Sequence, residues 1–420
     1  MKQWFVFALA VLMVISAGYG ARTAVARTSR APVAATVTIS YAFWDKTQAP
    51  AIQQIINQFE KAHPTIKVTP EITPFSQYFT KLQTAAGGGS APDTFWMNGP
   101  NFYLYASNGQ LMSLTSLIKK DHVSMGNYPK SLVNLYTYKG AAYALPKDFD
   151  VIGLWYNKGM FQAAHVSFPN PNWTWATLRS AAMKLTNPSK GVWGFVAFNT
   201  NQEGYYNTIF ENKGYVISSN HKKSGYDNPN TIGGLNFWTD LIKAKVSPNE
   251  QQMTETDKDT MFQSGKVAME FGGDWLANTF KQSMGSKVDV AVLPKGKVRG
   301  TVIHGLGNVI YAKTKHPTEA WEFVKFLGSK QAALTMAKTG TVIPAYNGTR
   351  GPWLRSFPQY HVKNFIDELS YAYPFPISKA TTKWEALETT ILTKAWAGQL
   401  TIDAAAKQLA QQMNAILAHE

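Results

Sequence analysis

Apolar and polar residues alternate from Val37 to Phe43, the period of a half-buried strand, and from Ala49 to Ala62 the apolar positions recur at helical spacing. Ile66–Ile72 reads as a second strand, and a strand, helix, strand order predicts a right-handed parallel unit whose sheet is covered on both faces. Residues 78–86 read as a helix stopped by Gly87, Gly88 and Gly89, and residues 91–96 open the next strand, which runs on to Met97. Helical periods return at Trp175–Leu185, 232–244, 258–264, 274–284, 318–327 and 331–336, with short apolar strands between them, 194–198 among these. One open sheet holding every strand would be very wide, so two sheets are expected, in an α/β fold. Residues 382–417 carry almost no strand character and read as helices packed on one of the resulting lobes.

The N-terminus changes the picture. Lys2 precedes an apolar run over residues 4–17, and Ala24, Val25 and Ala26 supply a small-residue cleavage pattern, so residues 1–26 read as a signal peptide. The run is shorter than the roughly 20 apolar residues a bilayer span requires. Residues 27–35 form a linker rich in Ser, Ala and Pro. The expected location is secreted, periplasmic or at the cell surface. The chain has 420 residues and no cysteine, which excludes disulfides, thiolate metal sites, a cysteine nucleophile and a lipid on an N-terminal thiol. With 41 Lys plus Arg against 26 Asp plus Glu the formal net charge is +15. Adjacent bases occur only as Lys119 with Lys120 and Lys222 with Lys223, however, so the charge reads as a solvated surface suited to anionic surroundings, with no nucleic-acid partner. The 8 histidines show no metal-ligand spacing, and no metal or cofactor is expected. The glycine triplet lacks the Lys and Ser or Thr of a P-loop, and Gly305 with Gly307 is only half of a dinucleotide fingerprint.

Seven short motifs then occur in a recognisable order. Phe59, Glu60, Lys61, His63, Pro64, Ile66, Lys67 and Val68 come first, followed by Tyr78, Lys81, Leu82, Gly87, Pro92 and Asp93. Leu145, Pro146, Asp148, Asp150, Val151, Leu154, Tyr156, Asn157, Lys158 and Phe161 make the most specific stretch. Phe262, Gly265, Lys266, Val267, Ala268, Met269, Gly272, Gly273 and Trp275 follow, then Leu293, Pro294, Gly300, Gly305 and Gly307. His316, Pro317, Ala320, Trp321, Phe323, Phe326 and Leu327, and finally Gly340 with Pro344, complete the series. Together they resemble the extracellular solute-binding proteins of ABC importers, in the maltose-binding-like group known as family 1. The resemblance implies a type II periplasmic-binding-protein fold: two Rossmann-like lobes, joined by a hinge with three chain crossings. Residues 36–147 plus 300–344 would form lobe 1, and residues 148–299 plus 345–420 lobe 2. It further implies a monomer that takes a mono- or oligosaccharide between its lobes and delivers it to ABC permease subunits, without catalysis.

Sugars need aromatic rings against their C–H faces and polar groups for hydroxyls that would otherwise be buried unpaired. Open α/β sheets place ligands beyond the carboxyl ends of their strands. Trp44 and Asp45 follow the first strand, and Asn98, with Tyr103 further along, follows the strand ending at Met97. Asp148 and Asp150 stand at the lobe passage, one expected to meet ligand and the other to stabilise the hinge. Glu203 and Tyr205 resemble an acid and a stacking tyrosine of sugar-binding relatives, Trp275 a stacking tryptophan, His304 a donor on the return crossover, and Trp384 a ligand-facing ring. Three other readings use the same residues. Tyr205 with Tyr206 matches a ferric-ion pair. Ser116 with Lys119, Ser218 with Asn220, and Lys338, Thr339, Gly340 match penicillin-binding enzymes. Asp148, Asp150, Glu203 and Asp274 offer the carboxylates a glycosidase requires.

Overall fold

The structure is a computed structural model that describes residues 35–420. The expected signal peptide and all but the last residue of the linker lie outside the described residues. Strands β1 (Val37–Phe43), β2 (Ile66–Ile72) and β3 (Thr94–Met97) are followed by a small hairpin of β4 (Thr137–Tyr138) and β5 (Ala141–Ala142). Then come β6 (Ala144–Pro146), β7 (Asp148–Asn157), β8 (Met269–Gly273), β9 (Val288–Ala291) and β10 (Thr301–His304). β11 (Gly307–Ile310), β12 (Ile343–Pro344) and β13 (Ala372–Pro374) complete the set.

Two larger sheets result. The first has the order β2-β1-β3-β11-β6, with β1, β2 and β3 parallel and β11 running antiparallel to both of its neighbours, β3 and β6. The second has the order β12-β7-β10-β13, with β8 and β9 also paired to the ten-residue β7. The parallel β1 and β2 are joined by the helix Ala49–Ala62, which buries Ile52, Ile55, Ile56 and Phe59 on one face. This is the helix crossover between parallel strands that the alternating periods predict. The chain passes from the first sheet to the second between β6 and β7, returns between β10 and β11, and crosses again before β12.

Register then decides where chemistry can gather. Phe43 pairs with Ile72 and Ala42 with Phe95, while Gly307 pairs with both Met97 and Pro146. His304 pairs with Asp150, and Pro344 with Asp148. The carboxyl ends of β1, β2, β3 and β10 and the start of β7 therefore meet along one edge.

Three expected elements differ. Residues 194–198 form no strand. They run extended, with the Phe195 and Val196 N–H groups donating to Val246 and Met269 carbonyls at 3.1 and 3.2 Å. A Cβ on Gly194 would lie 2.1 Å from the Ala182 carbonyl oxygen, so this segment is wedged against a helix instead of laddered. The helix expected from residue 78 begins at Phe75, and the one expected from 274 begins at Leu276 because β8 runs to Gly273 and leaves Asp274 in the turn. Gly340, at φ 71°, ends the helix Lys330–Thr339 in the left-handed conformation. The C-terminal stretch forms the helices Thr381–Trp396 and Ile402–Leu417, which pack on each other and on the helix Pro229–Lys243. Among the described residues no helix is long and apolar enough to cross a membrane.

Candidate functional site

A cavity of about 550 Å³ opens at the edge where the two sheets meet. Its walls include Trp44, Asp45, Phe75 and Asn98 from the first sheet's loops, and Gln202, Glu203, Asp274 and Trp275 from the second's. Asp148, Asp150 and His304 lie at the crossings between them. The structure thus brings eight expected residues to one cavity: Trp44, Asp45, Asn98, Asp148, Asp150, Glu203, Trp275 and His304.

The first wall is aromatic behind and polar in front. Trp44, half-buried, meets Trp96 and Tyr78 edge-on, both with ring centroids 5.0 Å away. Asp45 caps the short turn that follows: its Oδ1 accepts the Thr47 N–H at 2.8 Å and its Oδ2 the Gln48 amide at 2.8 Å. Asn98 caps the helix Gly99–Ser107, accepting the Asn101 N–H at 3.2 Å. The Gly99 N–H donates to His304 Nε2 at 3.0 Å. That bond requires the tautomer with its proton on Nδ1, which faces Asp150 Oδ2 at 3.7 Å.

The two passage aspartates differ in their surroundings. Asp148 is buried; its Oδ1 accepts the Leu306 N–H at 2.9 Å and its Oδ2 pairs with Lys147. Burial raises its carboxyl above the usual range and Lys147 opposes the rise. Lys147 also donates to Gln48 Oε1 at 2.7 Å and lies 4.3 Å from the centroid of the Trp96 ring. This set ties β7 to the return crossing. Asp150 is more open: it accepts the Gln202 amide at 2.5 Å and keeps acceptor capacity toward the cavity.

The second wall is held by a buried ionic group. Lys258 Nζ lies 3.0 Å from Glu203 and 4.0 Å from Glu270, and Asp259 also pairs with it. Burial alone would lower the Lys258 ammonium, but the three carboxylates outweigh it and hold the group above its ordinary value. One lysine cannot neutralise three acids. Glu270, fully buried with both oxygens lacking hydrogen bonds, is pushed well above the usual carboxyl range by burial, and burial raises Glu203 as well. Glu203 is left oriented at the cavity. Asp274, buried beside Asp150, is likewise pushed well up by burial and accepts the Val151 N–H at 3.0 Å. A Cβ on Gly273 would fall 2.0 Å from the Trp275 ring, so glycine there is what lets the indole take its place.

Three expected residues lie elsewhere, the first being Tyr103, which lines a different cavity. Tyr205 is buried and donates to Glu388 at 3.1 Å. Tyr206 donates to the same carboxylate at 2.9 Å, and Tyr226 makes a third bond to it. The tyrosine pair of the ferric-ion reading is therefore turned into a protein interior. Trp384 is also buried, its indole N–H donating to Ser378 Oγ at 2.9 Å, which is a packing role. Lys338 and Thr339 finish a helix capped by Gly340 instead of lying on a strand, and the Ser218 hydroxyl is engaged with Asn220 at 2.7 Å in a turn. The penicillin-binding motifs thus lack the strand that their chemistry uses.

Residues 44–334 match the family of bacterial extracellular solute-binding proteins, a span that begins at Trp44 and includes most of the cavity wall. The chain belongs to this family. A maltotriose-binding protein of Pyrococcus abyssi is 24% identical to this solute-binding protein over 353 residues, covering 81% of this chain and 73% of its own. An ABC substrate-binding protein of Listeria monocytogenes, solved in complex with cycloalternan, superposes with a TM-score of 0.87 at 27% identity, covering 91% of this chain and 99% of that one. The maltose-bound MalE3 of T. maritima gives a TM-score of 0.79 at 22% identity, covering 91% and 100%. The fold is accordingly the two-lobed α/β fold of periplasmic binding proteins. Sequence reasoning passed over Lys147, Gln202 and Lys258. Gln202 and Lys147 adjoin motif residues that were noticed, whereas nothing in the pattern marks Lys258 as buried.

Proposed function

We propose that this solute-binding protein captures a sugar in the cavity between its two sheets and hands it to the permease subunits of an ABC importer. The observation that carries the reading is that one cavity gathers Trp44 from the first sheet's loops, Trp275 and Glu203 from the second's, and Asp150 from the crossing. Rings cover the C–H faces of a pyranose while oriented carboxylates accept its hydroxyl protons. The maltotriose, cycloalternan and maltose taken by the relatives support the same class. The closing lobes are those expected from the sequence, 36–147 plus 300–344 and 148–299 plus 345–420, with β10 and β12 moved to the second by their pairing with β7, and the ligand favours closure because it touches both walls only when they approach. The protein works outside the cytoplasm after loss of residues 1–26, as a monomer, and binds without catalysis: Glu203 and Asp148 are already paired to lysines, Asp274 to a backbone N–H.

A thermal-shift panel of sugars, polyols, amino acids, ferric iron and polyamines tests this, because a ligand selective for the folded state raises the melting point by mass action. Stabilisation by a sugar is expected. A response to iron or amino acids with none to any sugar would overturn the substrate class.

A further inference from the structure

The turn Asn201–Tyr205, which carries Gln202 and Glu203 to the cavity, is not held by its own backbone alone. Gly204, at φ −125° and ψ −114°, takes the chain off the helical path there. Both ends of the turn are tied to one helix, Thr381–Trp396. At the first end the Asn201 side-chain amide donates to Glu385 Oε1 at 3.1 Å, while Asn201 Oδ1 accepts the Gln202 N–H at 2.6 Å. At the other end the Tyr205 hydroxyl donates to Glu388 Oε2 at 3.1 Å. Glu385 and Glu388 are three residues apart and so share one face of that helix. Apolar side chains would fill the same space without the cost of desolvating two acids, so what the carboxylates add is hydrogen bonding to the turn.

We infer that Glu388, with Glu385 beside it, is a positioning residue for the ligand: it fixes the turn that presents Gln202 and Glu203, so the charge on Glu388 sets how well the cavity binds. This rests on the sugar reading above. The donors around Glu388 decide the direction. An ionised carboxylate only accepts, and Glu388 meets three phenol donors, Tyr205, Tyr206 and Tyr226, so the arrangement is that of the charged form. A protonated Glu388 must donate, and one phenol then gives up its bond. Tyr205 holds a longer bond than Tyr206, 3.1 against 2.9 Å, and is the one that yields. Releasing Tyr205 frees one end of the turn, and Gln202 and Glu203 lose their fixed aim. The titratable groups facing Glu388 are these three phenols, from the turn, the helix that follows it and the loop before Pro229, and Glu385 on its own helix; no cation stands against it among the described residues. Burial places its titration at about pH 7, so the cavity holds ligand more tightly above neutrality and lets it go more readily below.

Calorimetric titration at pH 6 and pH 8, with maltose, maltotriose and mannotriose as probes, supplies the test on the wild type, Glu388→Gln and Tyr205→Phe. Wild-type affinity for a probe that binds should be about fivefold higher at pH 8 than at pH 6, the worth of one hydrogen bond. Asp150, Glu203, Asp274 and His304 titrate in the cavity itself, so the difference between wild type and variants carries the result. Glu388→Gln, whose amide donates as the protonated acid does, should bind at pH 8 about as weakly as the wild type at pH 6. Tyr205→Phe should lose the same pH dependence of affinity and yet keep the wild-type pH slope of melting temperature, because Glu388 still titrates against Tyr206 and Tyr226. Variants that keep the wild-type ratio of affinities, whether binding is unchanged or weakened equally at both pH values, would overturn the inference and leave sugar capture intact. If no probe binds the wild type at either pH, the sugar reading fails and the inference with it.

Discussion

Trp275 and Lys258 stand for the two ways a residue serves this cavity, by contact and by support. Trp275→Ala removes one wall's ring and should weaken sugar binding by about 2 kcal/mol, roughly 30-fold, with calorimetry as the readout. Gly273→Ala should act on the same ring indirectly. Its Cβ would lie 2.0 Å from the indole, so the ring must move, and the affinity loss should approach that of Trp275→Ala with little change in melting temperature. Lys258→Met leaves Glu203, Glu270 and Asp259 facing one another and should cost about 3–5 kcal/mol of stability at pH 7, less at pH 5 where carboxylates protonate, as thermal melts at the two pH values will show. Trp44, Asp45 and Asn98 were legible because each directly follows a strand end. Tyr205 was not: the turn Asn201–Tyr205 holds Gly204 at φ −125° and ψ −114°, which presents Gln202 and Glu203 to the cavity and sends Tyr205 inward.

Among elements, the helix Thr381–Trp396 shows how burial spacing and chemistry compete. Trp384, Glu388, Ile391, Leu392 and Ala395 share its buried face. That helical spacing was visible in the sequence and points Trp384 into a core. A carboxylate on the same face is the surprise, and three phenols answer it. Burial pushes Glu388 up to about 7, while the Tyr226, Tyr206 and Tyr205 hydroxyls partly offset the rise. The folded carboxyl therefore binds its proton more tightly than the unfolded one. Its contribution is fully present below about pH 4.5 and is lost as pH rises through about 7, up to about 3 kcal/mol at the far end. Melting temperature should fall between pH 5 and pH 8, and Glu388→Gln, which keeps the shape without the titration, should flatten that slope. A wild-type curve parallel to the Glu388→Gln curve would contradict this assignment.

Across the whole molecule, two sheets and three crossings put the carboxyl ends of β1, β2 and β3 opposite those of β8 and β10. The strand and helix periods carried that architecture, and the order of the motifs carried the passages between sheets. The side-chain partners that aim Glu203 and fix Asp148 did not follow from any pattern, because burial of a lysine is decided by what folds over it. A sugar that bridges both walls should make the molecule more compact, which small-angle scattering reads as a smaller radius of gyration on adding the ligand. The most direct test of sugar capture between the walls is a crystal structure with the sugar that the thermal-shift panel returns. A pyranose ring is expected between Trp44 and Trp275, with Asp150 and Glu203 on its hydroxyls. A sugar bound away from these four residues would contradict it.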